Sequence, residues 1–180
     1  MKRITTGVPL MCTFTGTYFD FANPKRETIH IEDIARALSN ICRFNGHTKE
    51  FYSVAQHSVL VSEACNPEDA LHGLLHDASE AYLGDVVTSL KDMLPSYKVL
   101  EADLQSAIYR CFGLDPEMPA SVKYADLSLL AAERRDLMNH GGYSWSVLDG
   151  VEPIGHLIEP LLPKQAYNLF INRYFEILQS

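Results

Sequence analysis

The sequence predicts a mainly α-helical protein with a small β-hairpin near its N-terminal end, built as one domain over residues 1–180. Three observations carry that prediction. Apolar residues recur at helical spacing through six segments between residues 31 and 178. A β-branched and aromatic run lies ahead of them, at 13–21. Asn-Gly, Asn-Pro and Gly-Gly pairs punctuate the chain between the helical segments. At 180 residues, 47% of them apolar, the chain is near the usual size for a single well-packed core.

Taken in order, TFTGTYFDF at 13–21 and the Asn23-Pro24 turn before a short extended run at 28–31 predict the hairpin. Ile31, Ile34, Ala35, Leu38, Ile41 and Cys42 then share one face of a helix whose first turn holds Glu32 and Asp33, where the helix dipole favours acids. Arg43-Phe44-Asn45-Gly46 ends that helix and leaves a cation and an aromatic ring beside a loop. The next helix, over about 52–65, sets Val54, Val61 and Ala64 on one face, and His57 falls on that face too. Asn66-Pro67 separates it from a helix that opens at Glu68-Asp69 and closes at Gly84. Its apolar stripe is Ala70, Leu71, Leu74, Leu75, Ala78 and Tyr82, with His76, Asp77 and Glu80 at one edge.

After Pro95 the periodicity resumes with Tyr97, Leu100, Leu104, Ala107 and Ile108, until Gly113, Pro116 and Pro119 stop it. A helix over about 122–138 aligns Leu129, Leu130, Glu133 and Leu137 with Asp126, an acid out of place at the head of an apolar seam. His140-Gly141-Gly142 terminates it, residues 143–163 read as a long loop with at most short turns, and 164–178 form a last helix burying Ala166, Tyr167, Phe170, Tyr174 and Ile177. No internal repeat or low-complexity tract interrupts the chain.

Fifteen Lys and Arg against 23 Asp and Glu leave a net charge of −8 with no long basic run. That balance speaks against a surface tracking a nucleic-acid polymer and leaves room for a small anionic substrate held by a metal and a few local cations. Cys12, Cys42, Cys65 and Cys111 are widely spaced, against a zinc ribbon or disulfide scaffold and in favour of free thiols in a reducing cytoplasm. Met1-Lys2-Arg3 is followed by alternating Thr, Gly and Pro rather than an apolar stretch, so no signal peptide is expected. No apolar run approaches the ~20 residues of a membrane span. The expectation is a cytoplasmic protein with no membrane partner.

The densest chemistry lies in residues 71–91, LHGLLHDASEAYLGDVVTSLK, which place His76-Asp77, Glu80, Asp85 and Lys91 in a segment that otherwise reads as buried helix. Three inward-facing helices each bring a candidate metal ligand: His57 on one, His76 and Asp77 on a second, Asp126 on a third. Two imidazoles and two carboxylates suit a divalent ion such as Zn, Mn, Co, Ni or Fe, and a donor set without Cys disfavours a closed structural zinc site. Neighbouring residues on a helix diverge by about 100°, so His76 and Asp77 reach one ion only from the helix's edge.

His57, His76-Asp77 and Asp126 make an H…HD…D pattern that resembles the HD-domain metal-dependent phosphohydrolases. The wording HDASEAYLGD followed by TSLK is similar to the small 5′-deoxynucleotidase branch and its phage-encoded relatives, over about residues 31–91 and again near Asp126. The resemblance implies an HD-domain helical bundle holding one divalent ion (Co, Mn, Zn, Ni, Fe or Mg) on His57, His76, Asp77 and Asp126. It implies removal of phosphate from a deoxynucleotide by attack of a metal-bound water, either as a 5′-deoxynucleotidase on monophosphates or as a phosphohydrolase on triphosphates such as dATP. Asp77 and Glu80 are then the catalytic pair, with Glu80 orienting the water or moving its proton. By the same resemblance Lys91 neutralises phosphate, Arg43 contacts phosphate or sugar, Phe44 stacks on the base and Asp85 sits near the sugar 3′ side. The family pair usually reads Arg-Trp where this chain has Arg43-Phe44. The implied partner is a small nucleotide, and relatives of this kind imply a homo-oligomer, a dimer or larger.

Singly, each residue has a plainer reading. His57 alone reads as a satisfied core histidine; Glu80, Asp85 and Lys91 read as a solvated helix end; Arg43-Phe44 reads as a helix C-terminus filling the core. His72 stands four residues before His76, a ligand-like spacing that the H…HD…D pattern does not require. His47, His140 and His156 fall in loops or at helix ends, Arg134 and Arg135 read as a solvated pair, and Tyr97 and Tyr109 read as core or interface. A rival of another class is a non-catalytic nucleotide- or metal-binding regulatory module on the same fold. A degraded site would lack a ligand or Glu80, and all five residues are present. A di-iron oxygenase would need further histidines before Asp126, and residues 78–125 contain none.

Overall fold

The computed structural model describes residues 10–179; residues 1–9, including the Met1-Lys2-Arg3 start, and Ser180 lie outside the described residues. The architecture is a helical bundle preceded by a two-stranded antiparallel hairpin, the class that the sequence predicts.

Strands Leu10–Cys12 (β1) and Tyr18–Asp20 (β2) pair with Met11 opposite Phe19. The hairpin thus lies earlier than a pairing of 13–21 with 28–31. Gly16 takes a left-handed φ of 83° inside the TFTGT run, and Thr13 N donates to Thr17 O at 2.9 Å, so the run folds back on the segment before it. The 28–31 stretch is instead the end of a 3₁₀ turn, Arg26–Thr28, and the start of the first helix. Phe19 is fully buried and stacks on Tyr82 with centroids 4.1 Å apart. Thr15 N and Oγ1 donate to the buried Asp33 carboxylate, tying the hairpin to that helix.

Helix α1, Ile31–Asn40, buries Ile31, Ile34, Ala35 and Leu38 and carries Glu32 and Asp33 in its first turn, as its periodicity predicts. A strap follows: Cys42 bridges Ser53, and Arg43 N donates to Tyr52 O at 2.9 Å. Helix α2, Val54–Ala64, starts where Ser53 Oγ accepts from Gln56 N. The sequence suggested one apolar face including Ala64, but Ala64 is exposed while every residue from Val54 to Val59 is buried. The cause is position: α2 packs against α1 and the later helices on several sides, so its first turns have no solvent face. Its polar residues are satisfied internally, Ser58 Oγ donating to Val54 O and Ser62 Oγ to Ala70 O.

The helix expected to run unbroken to Gly84 is broken. It forms α3, Ala70–Leu75, then turns, then α4, Glu80–Leu83, closed by Gly84 at φ 84°. The reason is Gln105: Ser79 N donates to its Oε1 at 2.9 Å and its Nε2 donates to Leu75 O at 2.7 Å. Those backbone groups are the donor and acceptor of one α-helical i→i−4 bond, so the amide has inserted into the ladder. Across the gap the backbone tightens to i→i−3 bonds, with Ala78 N to Leu75 O and Glu80 N to Asp77 O both at 3.0 Å. Gly73 lets α3 lie against α2, since a Cβ there would meet Ser62 Cα at 2.9 Å.

Thr88–Lys91 (α5) leads to α6, Pro95–Cys111, which buries Leu104, Ile108 and Tyr109. The predicted stripe also named Tyr97, Leu100 and Ala107; Leu100 is exposed and the other two are only partly covered, because the first half of α6 projects past the core. There Tyr97 Oη donates to Gly84 O. Helix α7, Ala120–Leu137, buries Val122, Ala125, Leu129 and Ala132 against Tyr52, Val61 and Ile158 in a second cluster. The 143–163 stretch is a loop with one short turn, Ser146–Leu148, anchored to α2 by Gln56, which bonds Glu159 O and Leu161 N. Helix α8, Pro163–Gln179, fully buries Ala166 and Phe170, with Tyr167, Tyr174 and Ile177 partly covered against the main core. No helix of the described residues is long and apolar enough to cross a membrane.

Candidate metal centre

The break between α3 and α4 presents His76 and Asp77 toward α2 and α7. His57 Nε2 lies 3.2 Å from His76 Nε2 and 3.1 Å from Asp126 Oδ1. Ligand atoms of His57, His76 and Asp126 all fall within 4.8 Å of one another, a candidate metal-binding triad. Asp77 Oδ2 approaches the same two nitrogens, at 3.2 Å from His76 and 3.7 Å from His57. His76 and Asp77 thus reach one point, through the tightened turn rather than a regular helix edge.

The donor set fits a cation. His76 Nδ1 lies 2.8 Å from the Gly73 carbonyl, which only accepts, and His57 Nδ1 lies 2.7 Å from Glu133 Oε1. Each ring therefore places its proton on Nδ1 and, when neutral, turns the Nε2 lone pair toward the other ring and the two carboxylates. Lone pairs facing each other at 3.2 Å repel unless a proton or a metal ion stands between them. Donors bonded at about 2.0–2.2 Å to one ion lie about 2.8–3.6 Å apart at neighbouring positions and up to about 4.4 Å across it, and all five measured separations fall in that range.

The same crowding of charge sets the protonation of these groups. Burial works against a charged His76, but the Asp77 and Asp126 carboxylates and the Gly73 carbonyl outweigh it and raise the ring to about 9. Burial also opposes ionised Asp77, yet His76, His57 and Arg43 hold its carboxyl far below the usual range. Glu133 is fully buried, and despite that burial Arg43 and His57 keep it low. Glu80 goes the other way: burial, then the charges of Asp77 and Asp85, push it well above an ordinary glutamate.

A cavity of about 630 Å³ opens over this cluster. Arg43, Phe44, Asp85 and Lys91 all line it, as do Asp77, Glu80 and Asp126, while His57 and His76 stand buried behind them. Arg43 reaches Asp77 Oδ2 at 3.4 Å and Glu133 Oε2 at 3.1 Å. Lys91 Nζ lies 3.3 Å from Glu80 Oε1 and 2.6 Å from Glu101 Oε1. Glu80 Oε2 is buried with no hydrogen-bond partner among the described residues.

His72 turns away, its Nε2 3.0 Å from Asp115 O. His47 and His156 are exposed. Arg135 pairs with Asp136 and the carbonyls of Ile154 and His156, and Arg134 lies over the Trp145 ring. Three residues of the site had no role in the sequence reading. Glu133 supports both His57 and Arg43, and its signal was visible as a second acid, seven residues past Asp126, in the same apolar seam. Glu101 and Trp145 carry no such signal, because only the tertiary arrangement brings Glu101 to Lys91 and Trp145 to the cavity.

No protein-family model matches the chain. It is 40% identical over 121 residues to the uncharacterized protein RCAP_rcc00048 of Rhodobacter capsulatus, an alignment covering 62% of each chain. It is 46% identical over 167 residues to the uncharacterized protein YfdR of Escherichia coli (strain K12), covering 92% of this chain and 93% of that protein. At that identity and coverage, the chain belongs to the same family as YfdR.

Proposed function

We propose that the protein is a divalent-metal-dependent phosphohydrolase of the HD-domain type, removing phosphate from small deoxynucleotides. The observation that carries this reading is the pair of imidazole Nε2 atoms 3.2 Å apart, flanked by Asp77 and Asp126, at the edge of a cavity that also holds two cations. His57, His76, Asp77 and Asp126 would hold one divalent ion, which when bound acidifies water and polarises a phosphoryl oxygen. Arg43 and Lys91 supply the positive charge that a phosphate needs, and Arg43's fork suits two oxygens at once.

Glu80 suits proton transfer. Its Oε2 is unpaired, its Oε1 is oriented by Lys91, and burial raises its pKa above that of an ordinary glutamate, which suits a group that takes and gives a proton. Phosphate arriving at Lys91 competes with Glu80 for the ammonium and frees that carboxyl to act. Asp85 lines the same cavity and suits a sugar hydroxyl. The protein is read as cytoplasmic, its four cysteines being free, and as a homo-oligomer whose assembly light scattering will report.

The test is phosphate release from deoxynucleoside mono-, di- and triphosphates, each with Mn, Co, Zn, Ni, Fe and Mg. Release from monophosphates alone identifies a 5′-nucleotidase, and release from triphosphates the dATP type. No release from any nucleotide with any metal sinks the hydrolase reading in favour of a binding module.

A further inference from the structure

We infer that Trp145, in the loop between α7 and α8, forms with Phe44 an aromatic wedge that takes the base of the nucleotide. The inference rests on the phosphohydrolase reading and deepens it by naming what the site selects: a phosphate ester that carries a planar ring. The cavity's lining is chemically mixed: Asp77, Glu80, Asp126 and Lys91 bring charge, and Phe44, Trp145, Leu130 and Val86 bring apolar surface. A phosphate ester held by its charged end has aromatic and aliphatic wall available to the rest of the molecule.

Both rings are held in place without serving the core. Neither Phe44 nor Trp145 belongs to the buried clusters or packs against them. Phe44 and Asn45 both adopt left-handed backbone, with φ of 53° and 50°, a conformation that asparagine tolerates and that costs a residue such as Phe44 about 1–2 kcal/mol. The strap at Tyr52 O and the Phe44 O to His47 N bond of 3.0 Å maintain it. Trp145 is braced by the Arg134 guanidinium 5.7 Å above its ring, itself bonded to the Tyr143 carbonyl. A strained turn and a braced loop that present rings to a cavity are organised for a ligand.

The geometry of the wedge gives its selectivity. The ring centroids are 6.3 Å apart and the planes tilt by 50°, so the rings form a V. A base stacked face-on to one ring is inclined by that same 50° to the other, so it meets both. Every nucleobase has a π face, so this wedge discriminates the presence of a base more than its identity.

Trp145 is the chain's single tryptophan, so its emission reports the wedge alone. The experiment titrates the Glu80→Ala protein with the four deoxynucleoside 5′-monophosphates and with deoxyribose 5-phosphate. Saturable change in emission with all four nucleotides, and none with deoxyribose 5-phosphate, is expected. In the otherwise intact enzyme, Trp145→Ala lowers the ratio of kcat/KM for a deoxynucleotide over that for deoxyribose 5-phosphate about tenfold, and Trp145→Phe restores most of it. Silent emission with nucleotides that the wild type hydrolyses, or an unchanged ratio in both variants, overturns the wedge and leaves the hydrolase standing. If no phosphate ester is bound or hydrolysed by the wild type, the hydrolase reading falls and the wedge falls with it.

Discussion

His57 and Glu133 meet across the α2–α7 interface with Nδ1 2.7 Å from Oε1, and neither side chain has any exposed surface. The carboxylate fixes the ring's tautomer and shares its second oxygen with Arg43, so one buried acid orients the candidate ligand His57 and the cavity cation Arg43 together. Glu133→Gln should lower metal affinity about 10–100-fold. Metal titration followed by elemental analysis checks it, and affinity equal to the wild type's would remove Glu133 from the site. Glu133→Ala should also destabilise the fold by about 3 kcal/mol, because the buried Arg43 loses its nearer carboxylate and keeps only the 3.4 Å contact to Asp77.

Asp77 and Glu80 should separate cleanly. Asp77→Ala is expected to lose both bound metal and turnover, since a ligand is removed. Glu80→Ala should retain metal and lose about 10²–10⁴-fold in kcat. Full metal content in the first variant, or wild-type rates in the second, contradicts the respective assignment.

Gln105 holds the α3–α4 break open from α6. Gln105→Leu removes the inserted amide, so Ser79 N can close a regular helical bond to Leu75 O in place of the tighter Ala78 N bond, which turns His76 and Asp77 away from each other. Weaker metal binding is the expected outcome, with about 1–3 kcal/mol lost in denaturant unfolding if the helix does not close. Unaltered metal affinity would show that the break is not what aims the pair.

Gly73→Ala tests the α2–α3 contact. Its Cβ would meet Ser62 Cα at 2.9 Å, so the helices must separate, at about 1–3 kcal/mol. A melting temperature equal to the wild type's would contradict the close approach.

Asp136 offers a pH test away from the candidate metal centre. Its hydrogen bonds from Arg135 hold the carboxyl below the usual range, against a smaller opposing effect of burial, and the Ile158 amide and Lys49 help. A folded-state pKa below the unfolded value contributes stability that is present above the unfolded pKa of about 3.9 and is lost as pH falls through the depressed value. Asp136→Asn should therefore cost stability at pH 7 and progressively less below about pH 4. An equal loss at pH 3 and pH 7 would assign the effect to packing instead.

Legibility in the chain followed the range of the interaction. Helices α1, α7 and α8 were readable because a 3.6-residue period needs only neighbours in sequence. The 13–21 run was β-like, but which segment it paired with depended on Gly16's left-handed turn, and that moved the hairpin forward. The 70–84 segment has the period of one helix, and nothing within it announces the break, since the inserting amide comes from residue 105.

By itself, then, the sequence determined the mainly helical class and the residue types of the donor set, because residue type and period are local properties. The tertiary structure alone decided what those donors face: two imidazole nitrogens turned on each other by Glu133 and the Gly73 carbonyl, Lys91 held between Glu80 and Glu101, and Trp145 set beside Phe44. Each of these joins residues distant in the chain whose contact is set by packing, and no short-range pattern encodes such a distance.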